Sequence, residues 1–249
     1  MSKLPPLSPL AERTHIVVGD EGLLRLRKAR VFLAGLGGVG SYAAEALARM
    51  GVGRLTLADH DVVSGSNLNR QLVALNSTVG LSKAQVMAER IQAINPECRV
   101  SLHTEFLTPD SVPELLAEPY DFVLDAIDSL NCKAALVATA YARGLRVVSS
   151  MGAGGKLDPS GIRTGDLFDT DVCPLARNMR RRLRRRAVGR GVLAVYSVEP
   201  PRPPLAPQPV ARGRDRAVNG TVSYMPALFG LTLAGLAIQG LLDGEISAA

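Results

Sequence analysis

Cysteine is scarce in this sequence, and a secretory leader is absent. Three of the 249 residues are cysteines, and none of them stand two residues apart as the knuckles of a zinc site require. The sequence therefore predicts neither a disulfide framework nor a structural zinc. The first residues, MSKLPPLSPLAERT, lack the charged and then apolar segments of a secretory signal. We therefore expect a cytoplasmic protein.

Long apolar runs are rare as well. One run, residues 225–242, approaches the roughly 20 residues that a membrane-spanning helix needs. It contains Pro226 and Gln239, and its small residues Gly230 and Gly235 allow a neighbouring helix to pack closely. We expect a buried core helix or a dimer-interface helix here, and no membrane association.

Acidic side chains are missing from residues 173–198, which contain eight arginines. Such a block repels itself unless it meets an anion, so nucleic acid is the first candidate partner. Leu175, Met179 and Leu183 recur every four residues, so one stripe of a helix can face the protein. A solvated face without a ligand is the alternative. The predicted nucleic-acid contacts are Arg177, Arg180, Arg181, Arg182, Arg184, Arg185 and Arg186.

Strand and helix patterns alternate along the first 150 residues. This alternation predicts an α/β fold, a Rossmann-like and mostly parallel sheet with helices on both faces. The predicted strands are 30–35, 54–58, 99–103, 122–127 and 146–149, and the predicted helices are 41–50, 82–95, 109–117 and 131–143.

The pattern changes beyond residue 150, where the basic helix, a strand at 192–198, a proline tract at 200–209 and the apolar helix follow. Because proline has no backbone N–H, we expect the proline tract to be an extended loop outside any sheet. We divide the chain into a nucleotide-binding domain, 1–160, and a C-terminal extension, 161–249, which packs on the same fold and carries the basic helix.

A glycine cluster follows the first predicted strand and opens a helix: Gly35, Gly37, Gly38 and Gly40. Glycines here let backbone N–H groups approach phosphates at a helix N-terminus. A simple tight turn is the alternative. Even a true dinucleotide-binding glycine motif would be equally consistent with an NAD-dependent oxidoreductase and with an ATP-using enzyme. Asp59, 19 residues after Gly40, is placed to bind ribose hydroxyls, unless it only caps a helix or turn.

Two cations, Arg70 and Lys83, follow the second predicted strand. Hydride transfer needs no such pair, whereas attack of a carboxylate on an α-phosphate needs positive charge to stabilise the phosphoryl oxygens and the departing pyrophosphate. Taken singly, Lys83 could be solvated and Arg70 could pair with an acid. The pair favours ATP-dependent adenylation over an oxidoreductase, while a non-catalytic nucleotide-binding or scaffold protein stays open.

Two aspartates end the fourth predicted strand. Ligands of open α/β sheets gather at the carboxyl ends of the strands, and Mg²⁺ needs only one or two carboxylates beside phosphate oxygens. Asp128 lies just past the strand and is the predicted magnesium ligand. Asp125, two residues further inside the strand, is predicted to be structural.

Five motifs, GLGGVGS, LADHD, SNLNRQ, VGLSKA and DAIDS, together resemble the ubiquitin-activating-type adenylyltransferase superfamily over about residues 10–160. The wording RTHIVVG, AERIQAINPECRV, GAGGKLDP and CPLARNMRRRLRR is similar to the tRNA threonylcarbamoyladenosine dehydratase group within it. This resemblance implies that residues 1–160 form an adenylation domain with an N-terminal dimer arm.

The resemblance implies roles for individual residues. Arg70 and Lys83 would contact the ATP phosphates and Asp128 would support Mg²⁺, while Asn67 and Gln71 belong to the same motif as Arg70. Arg13 would reach into the ATP site of the neighbouring subunit of a homodimer. The implied catalytic residues are therefore Arg13, Arg70, Lys83 and Asp128, and the implied nucleotide ligands are Gly35, Gly37, Gly38, Gly40, Asp59, Asn67, Arg70, Gln71 and Lys83.

The resemblance also implies a substrate, threonylcarbamoyladenosine in tRNA. Its threonyl carboxylate would be adenylated and then attacked by a nitrogen of the same modification, with net loss of water. An internal nucleophile makes a catalytic cysteine dispensable. A sulfur-transfer protein is a further possible partner. The alternative is adenylation of the C-terminal glycine of a ubiquitin-like sulfur-carrier protein, which the lack of paired cysteine knuckles and the arginine helix disfavour.

Overall fold

Seven α-helices, four short 3-10 helices and nine strands form the part of the chain that the computed structural model describes, residues 7–208 and 216–243. The helices are α1 Glu12–Lys28, α2 Gly40–Arg49, α3 Lys83–Ile94, α4 Val112–Leu115, α5 Leu130–Ala142, α6 Pro174–Arg184 and α7 Tyr224–Asp243. The strands are β1 Arg30–Ala34, β2 Arg54–Ala58, β3 Arg99–His103, β4 Phe122–Asp125, β5 Val147–Ser150, β6 Ile162–Asp166, β7 Leu193–Ser197, β8 Leu205–Gln208 and β9 Arg216–Val218.

Seven strands form one sheet in the order β3-β2-β1-β4-β5-β7-β6. All neighbouring pairs are parallel except β6 and β7, which pair antiparallel. The chain reverses direction across the sheet between β1 and β4, and this switch point opens a crevice at the carboxyl ends of those strands. The predicted mostly parallel α/β fold is confirmed.

Helices cover both faces of the sheet, as predicted. One apolar core lies between the sheet and α2, α3 and α7, and a second lies between the sheet and α4, α5 and α6. The predicted helix start at Ser82 is confirmed, because the Ser82 hydroxyl accepts a hydrogen bond from the Gln85 amide at 3.4 Å.

Helix α7 is the one helix, within the described residues, that is long and apolar enough to cross a membrane. Half of its most apolar window is buried inside the protein, and it packs on α2 and on the sheet. A Cβ at Gly230 would lie 2.2 Å from the carbonyl oxygen of Val39, so this glycine allows close packing at the start of α2. The prediction of a core helix is confirmed.

Three elements differ from the sequence prediction. Helix α1, broken at Gly19 with φ 66°, was not predicted, and neither was β6, whose sequence IRTGD carries no apolar alternation. The prediction that the proline tract stays outside any sheet is wrong for Leu205–Gln208, which pairs antiparallel with Arg216–Val218 in a separate two-stranded sheet. A register shift between Leu205 and Pro207 accommodates the proline, as irregular edge pairings do. The last residue of the tract, Pro209, lies outside the described residues.

Most of the C-terminal extension is built into the main fold. Strands β6 and β7 belong to the seven-stranded sheet, and α7 contacts α1, α2 and the strands β4, β5 and β7. The boundary at residue 160 stays a prediction, as do the parts of both predicted domains, residues 1–6 and 244–249, that lie outside the described residues.

Candidate active site

The glycine cluster forms a tight turn between β1 and α2. A Cβ at Gly35, where φ is +88°, would lie 2.7 Å from the carbonyl oxygen of Ala126, which follows β4. A Cβ at Gly40 would lie 1.7 Å from the carbonyl oxygen of Gly35. Larger residues cannot occupy these two positions, so the glycines press the turn against the end of β4. The start of α2, a helix end of the kind that can bind a phosphate, therefore lies beside the end of β4.

Asp59 holds the glycine turn from the end of β2. Its Oδ2 accepts a hydrogen bond from the Leu36 amide at 2.6 Å, and its Oδ1 accepts one from the Asp61 amide at 2.8 Å. Burial raises the pKa of the Asp59 carboxyl, and the charge of Lys83 opposes that rise. A carboxylate oxygen accepts more than one hydrogen bond, so the predicted contact to a ribose is compatible with both bonds.

Lys83 is buried at the start of α3. Its side chain is 6% exposed, and its Nζ lies 2.7 Å from Oδ2 of Asp61. The alternative that it is simply solvated is therefore wrong. Burying a charged side chain is costly without compensating groups, and here Asp61 supplies one while the Asp59 carboxyl lies close enough to interact electrostatically with Lys83.

Arg70 lies against the glycine turn. A Cβ at Gly38 would lie 3.4 Å from both Cγ and the carbonyl oxygen of Arg70. The guanidinium donates to the Ser66 carbonyl at 2.7 Å and to Oδ1 of Asn69 at 2.9 Å, so it binds neutral oxygens rather than an acid. Burial lowers the pKa of Arg70, and an anionic ligand would offset that effect.

Hydrogen bonds also connect the segment that contains Arg70 to the glycine turn. The Ser41 hydroxyl donates to the Gly37 carbonyl at 2.7 Å and accepts from the Leu72 amide at 3.1 Å. Oε1 of Gln71 is buried and, within the described residues, has no hydrogen-bond partner. A ligand donor would satisfy it. Oδ1 of Asn67 instead accepts from the Ser64 amide at 3.1 Å and caps a local turn.

The two aspartates of β4 have different surroundings. Asp125 is fully buried, its Oδ2 lies 2.9 Å from Nζ of Lys133, and it accepts a hydrogen bond from the Ser149 hydroxyl at 2.6 Å. Lys133 also donates to the Ile127 carbonyl at 3.1 Å, so this buried pair fixes the segment just after β4. Asp125 is structural, as predicted. Asp128 is exposed at the edge of the crevice.

A second acidic group could also hold a metal. Ligand atoms of Asp59, His60 and Asp61 lie within 4.8 Å of one another. Asp61 is paired with Lys83, however, and both oxygens of Asp59 accept backbone hydrogen bonds. The ion pair between Asp61 and Lys83 competes with a metal ion for this group, so Asp128 remains the residue that we assign to Mg²⁺ as a proposal.

A cavity of about 200 Å³ lies beside Asp59 and was not predicted from the sequence. Its walls include Ala58, His103, Phe106 and Leu107, and the Asp59 amide bonds to the His103 carbonyl at 3.0 Å. A wall that contains Phe106 and Leu107, next to the acid predicted to bind ribose, suits a purine ring. No local motif marks this cavity, because its residues meet only after β2 and β3 pair.

Arg13 is exposed on the first turns of α1. The next residue, Thr14, lines a cavity together with Arg54 and Arg99, the first residues of β2 and β3. The glycine turn follows the last residue of β1, at the other edge of the parallel sheet. Arg13 therefore does not lie at the proposed ATP site of its own chain. The prediction that it acts in a neighbouring subunit requires this separation.

The seven arginines predicted to bind nucleic acid are not equivalent. Met179 and Leu183 are buried on one stripe of α6, as predicted. Arg180 donates to the Thr170 carbonyl at 2.7 Å, and Arg182 donates to Oδ1 of Asn131 at 2.5 Å, so both are bound within the protein. Exposed guanidiniums are left at Arg177, Arg181, Arg184, Arg185 and Arg186, and Arg184 also stacks on the Phe168 ring at 5.4 Å.

The fold and this edge of the sheet together define the class, an α/β protein of the nucleotide-binding type with a glycine turn between β1 and α2. The chain belongs to the ThiF family, whose profile matches residues 11–247. A tRNA threonylcarbamoyladenosine dehydratase of Escherichia coli (strain K12) is 48% identical over 171 residues, which cover 69% of this chain and 64% of that protein. One of Bacillus subtilis (strain 168) is 37% identical over 242 residues, which cover 94% and 95%.

Solved structures agree with these relatives. The crystal structure of E. coli tRNA N6-threonylcarbamoyladenosine dehydratase in complex with ATP has a TM-score of 0.84 and 40% identity, with 93% of each chain covered. The same enzyme in complex with AMP has a TM-score of 0.85 and 38% identity, with 97% of this chain and 98% of that chain covered. The similarity thus includes β6, β7 and α7 as well as the nucleotide-binding core.

Proposed function

We propose that the chain is an ATP-dependent enzyme that adenylates the threonyl carboxylate of threonylcarbamoyladenosine in tRNA and then closes a ring with net loss of water. The observation that carries this proposal is similarity along nearly the whole chain to enzymes of that name, one of which is solved with ATP. The half-buried Arg70 and the buried Lys83 beside the glycine turn support it, because a hydride-transfer site needs neither.

ATP is the nucleotide of this proposal, and the site suits its three parts. The adenine enters the cavity lined by Phe106 and Leu107, and the ribose hydroxyls bond to Asp59. The phosphates lie over the glycine turn, within reach of Arg70 and Lys83. Asp128 would hold Mg²⁺, which supplies further stabilisation of phosphate charge.

The chemistry has two steps. A threonyl carboxylate oxygen attacks the α-phosphorus, the bond to the β-phosphate oxygen breaks, and pyrophosphate leaves with the bonding electrons. A nitrogen of the same modification then attacks the acyl carbon, loses its proton and expels AMP. Arg70 and Lys83 lower the first barrier because they bind the charge that develops on the phosphoryl oxygens. The second step gains from proximity, because nucleophile and acyl group belong to one molecule.

The tRNA would contact the exposed arginines of α6. Five exposed guanidiniums on or just after one helix, without a neighbouring acid on that helix, suit the phosphate backbone of RNA. Arg180 and Arg182 are bound internally and would contribute less than predicted. A cytoplasmic location and a sulfur-transfer partner belong to the same proposal.

A homodimer completes the site. Ile16 and Val17 on α1 are 74% and 85% exposed, and Arg13 lies on the same helix. A second group of exposed apolar side chains lies between β2 and α3: Val62, Leu75, Val79 and Leu81. Two exposed apolar surfaces on one chain are what a self-complementary twofold contact buries. In that contact the Arg13 of each subunit would reach the other subunit's phosphates.

One assay tests the reaction. The protein is incubated with ATP, Mg²⁺ and tRNA that carries threonylcarbamoyladenosine, and the release of AMP and pyrophosphate is measured. The nucleoside is then analysed for the loss of one water by mass. We expect AMP and dehydrated nucleoside in equal amounts. Pyrophosphate exchange that depends on a ubiquitin-like carrier protein instead of tRNA would select the alternative function, and reduction of NAD would reject both.

A further inference from the structure

A cavity of about 230 Å³ lies at the edge of the sheet opposite the glycine turn. Gly53 and the first residues of β2 and β3, Arg54 and Arg99, form one side of it. The last turns of α1 and α2 contribute Arg27 and Arg49. Parallel strands place all their amino ends at one edge, so this cavity is separate from the proposed ATP site.

The charge of this cavity is strongly positive. Four arginines line it, and Glu97 is the one acid among the lining residues. Glu97 is 75% exposed and lies 3.8 Å from Arg27, while Arg49 is paired with Glu45 outside the cavity. Within the described part of the chain, the side chains of Arg54 and Arg99 make no hydrogen bond or ion pair, although both line the cavity.

Arg54 and Arg99 are also forced together by the fold. They are register partners in the parallel pair of β2 and β3, so their side chains leave the same face of strands that are about 4.8 Å apart. Like charges in directly opposite positions destabilise a sheet. Arg27 and Arg49 stabilise the C-terminal ends of α1 and α2, where the helix dipole is negative, and this explains cations at those two positions. Arg54 and Arg99 begin strands, so the helix dipole does not explain them. An anion between Arg54 and Arg99 would remove the repulsion.

We propose that this cavity is a binding site for a phosphate group. Arginine side chains bind two phosphate oxygens at once, and hydroxyls of Ser8 and Thr14 offer further hydrogen bonds from the same lining. The volume is below the range of about 300–1,000 Å³ that small-molecule sites occupy, so it suits one phosphate rather than a whole nucleotide. A backbone phosphate of RNA and free inorganic phosphate share this chemistry. The site itself does not depend on the adenylation reaction.

The first experiment titrates inorganic phosphate into the intact protein by calorimetry, with the ATP site saturated by a non-hydrolysable ATP analogue. The wild type should bind one phosphate, and Arg54→Gln/Arg99→Gln should bind it at least about tenfold more weakly, since the variant loses the charge-assisted hydrogen bonds of both side chains. The matched control is Arg143→Gln/Arg163→Gln, which removes the same charge from exposed positions outside the cavity. Arg54→Lys/Arg99→Lys keeps the charge but loses the planar guanidinium groups that bind two oxygens at once, so we expect an intermediate affinity.

The second experiment separates the two sources of phosphate. Affinity for tRNA is measured against salt concentration for the same variants. If RNA supplies the phosphate, Arg54→Gln/Arg99→Gln reduces the log–log slope by about 0.7–0.9 for each RNA phosphate that the variant no longer binds, and the control pair does not. An unchanged slope with weakened binding of inorganic phosphate assigns the site to a free anion. Unchanged phosphate affinity and unchanged slope together would overturn the proposal. Neither readout measures AMP release, so failure of the adenylation proposal would be seen separately.

Discussion

Asp128 is the residue on which the metal assignment depends. It is exposed at the edge of the crevice, next to a segment that the buried pair of Asp125 and Lys133 fixes. We expect Asp128→Asn to leave ATP affinity little changed and to lower kcat about a hundredfold or more, because a metal supplies several kcal/mol of transition-state stabilisation. Pyrophosphate release and calorimetric ATP binding measure the two effects. Glu89→Gln, which removes an exposed carboxylate from α3, is the control, and retained turnover in Asp128→Asn would place Mg²⁺ elsewhere.

Lys133 is predicted to matter for stability rather than chemistry. Its Nζ and the Asp125 carboxylate are both fully buried, and Lys133→Met would leave that carboxylate without a cation. We expect the free energy of unfolding to fall by about 3–5 kcal/mol. Chemical denaturation measures this decrease, and Asp125→Asn/Lys133→Met should recover part of it because no buried charge remains. A decrease below about 1 kcal/mol would mean that water reaches the pair.

Some residue roles followed from the sequence and others did not. The structural role of Asp125 was predicted from its position inside a buried strand, and its contacts confirm it. For Lys83 the sequence offered a phosphate contact or a solvated side chain, and the burial of neither Lys83 nor Lys133 was predicted. A lysine in an apolar helix gives no local sign of its partner, which comes here from a strand that packs beneath the helix.

At the scale of elements, α7 is expected to position the glycine turn. Its Gly230 lies against the carbonyl oxygen of Val39, so Gly230→Ala must push the helix away from the start of α2. We expect stability to fall by about 1–3 kcal/mol, together with weaker ATP binding. Gly235→Ala on the same helix is a matched control, because its added methyl would meet no atom within 4 Å.

Thermal denaturation and ATP titration distinguish these two glycine variants. Gly235→Ala should be stabilised by up to about 1 kcal/mol, since alanine is the better helix former. Equal stability of both variants would show that α7 tolerates displacement. Unchanged ATP affinity in Gly230→Ala would show that the glycine turn does not depend on its contact with α7.

The arginines of α6 and the residue after it should fall into two groups, those that bind RNA and those that stabilise the protein. Replacing Arg177, Arg181 and Arg185 by glutamine should lower tRNA affinity and reduce its salt dependence by about 0.7–0.9 for each RNA phosphate released. Replacing Arg180 and Arg182 should mainly lower the melting temperature, because both donate hydrogen bonds within the protein. Filter binding at several salt concentrations and thermal melts measure the two effects. An equal decrease of RNA affinity in both groups would contradict the division.

Element prediction succeeded where periodicity was strong. Strand β2 and strand β3 were predicted with the bounds that the structure has, and the start of α3 followed from its serine cap. Strand β6 lacked a pattern of its own, and it exists because β7 offers an edge to pair with. Helix α1 was missed because Gly19 interrupts its pattern with a positive φ.

At the scale of the whole molecule, the proposed homodimer makes a prediction that a monomer does not make. Arg13→Ala and Asp128→Asn should each abolish most activity when alone. In a mixed dimer, the first chain supplies an intact Asp128 and the second supplies an intact Arg13, so one of the two sites is complete. Random exchange of equal amounts should therefore restore about a quarter of wild-type activity.

The mixture is tested by AMP release after subunit exchange, with Ile16→Asp/Val17→Asp as the control. These two side chains are highly exposed on α1, and charged replacements should prevent dimerisation and thereby exchange. Sedimentation confirms the oligomeric state of each sample. No recovery in a mixture that does exchange would mean that Arg13 does not act in the neighbouring subunit.

The sequence by itself determined the class of fold, the order of most elements and the residue types present at the proposed nucleotide site. These properties depend on local patterns, such as alternating apolar runs, a glycine cluster before a helix and residue types that suit phosphate.

Tertiary structure alone decided which charges are buried, which arginines of α6 are exposed, and that Arg54 and Arg99 lie side by side. It also formed the cavities at both edges of the sheet. Each of these features joins residues far apart in the chain, and their environment exists only once the strands are in register. Burial and charge are properties of that environment, so no pattern within one segment could reveal them.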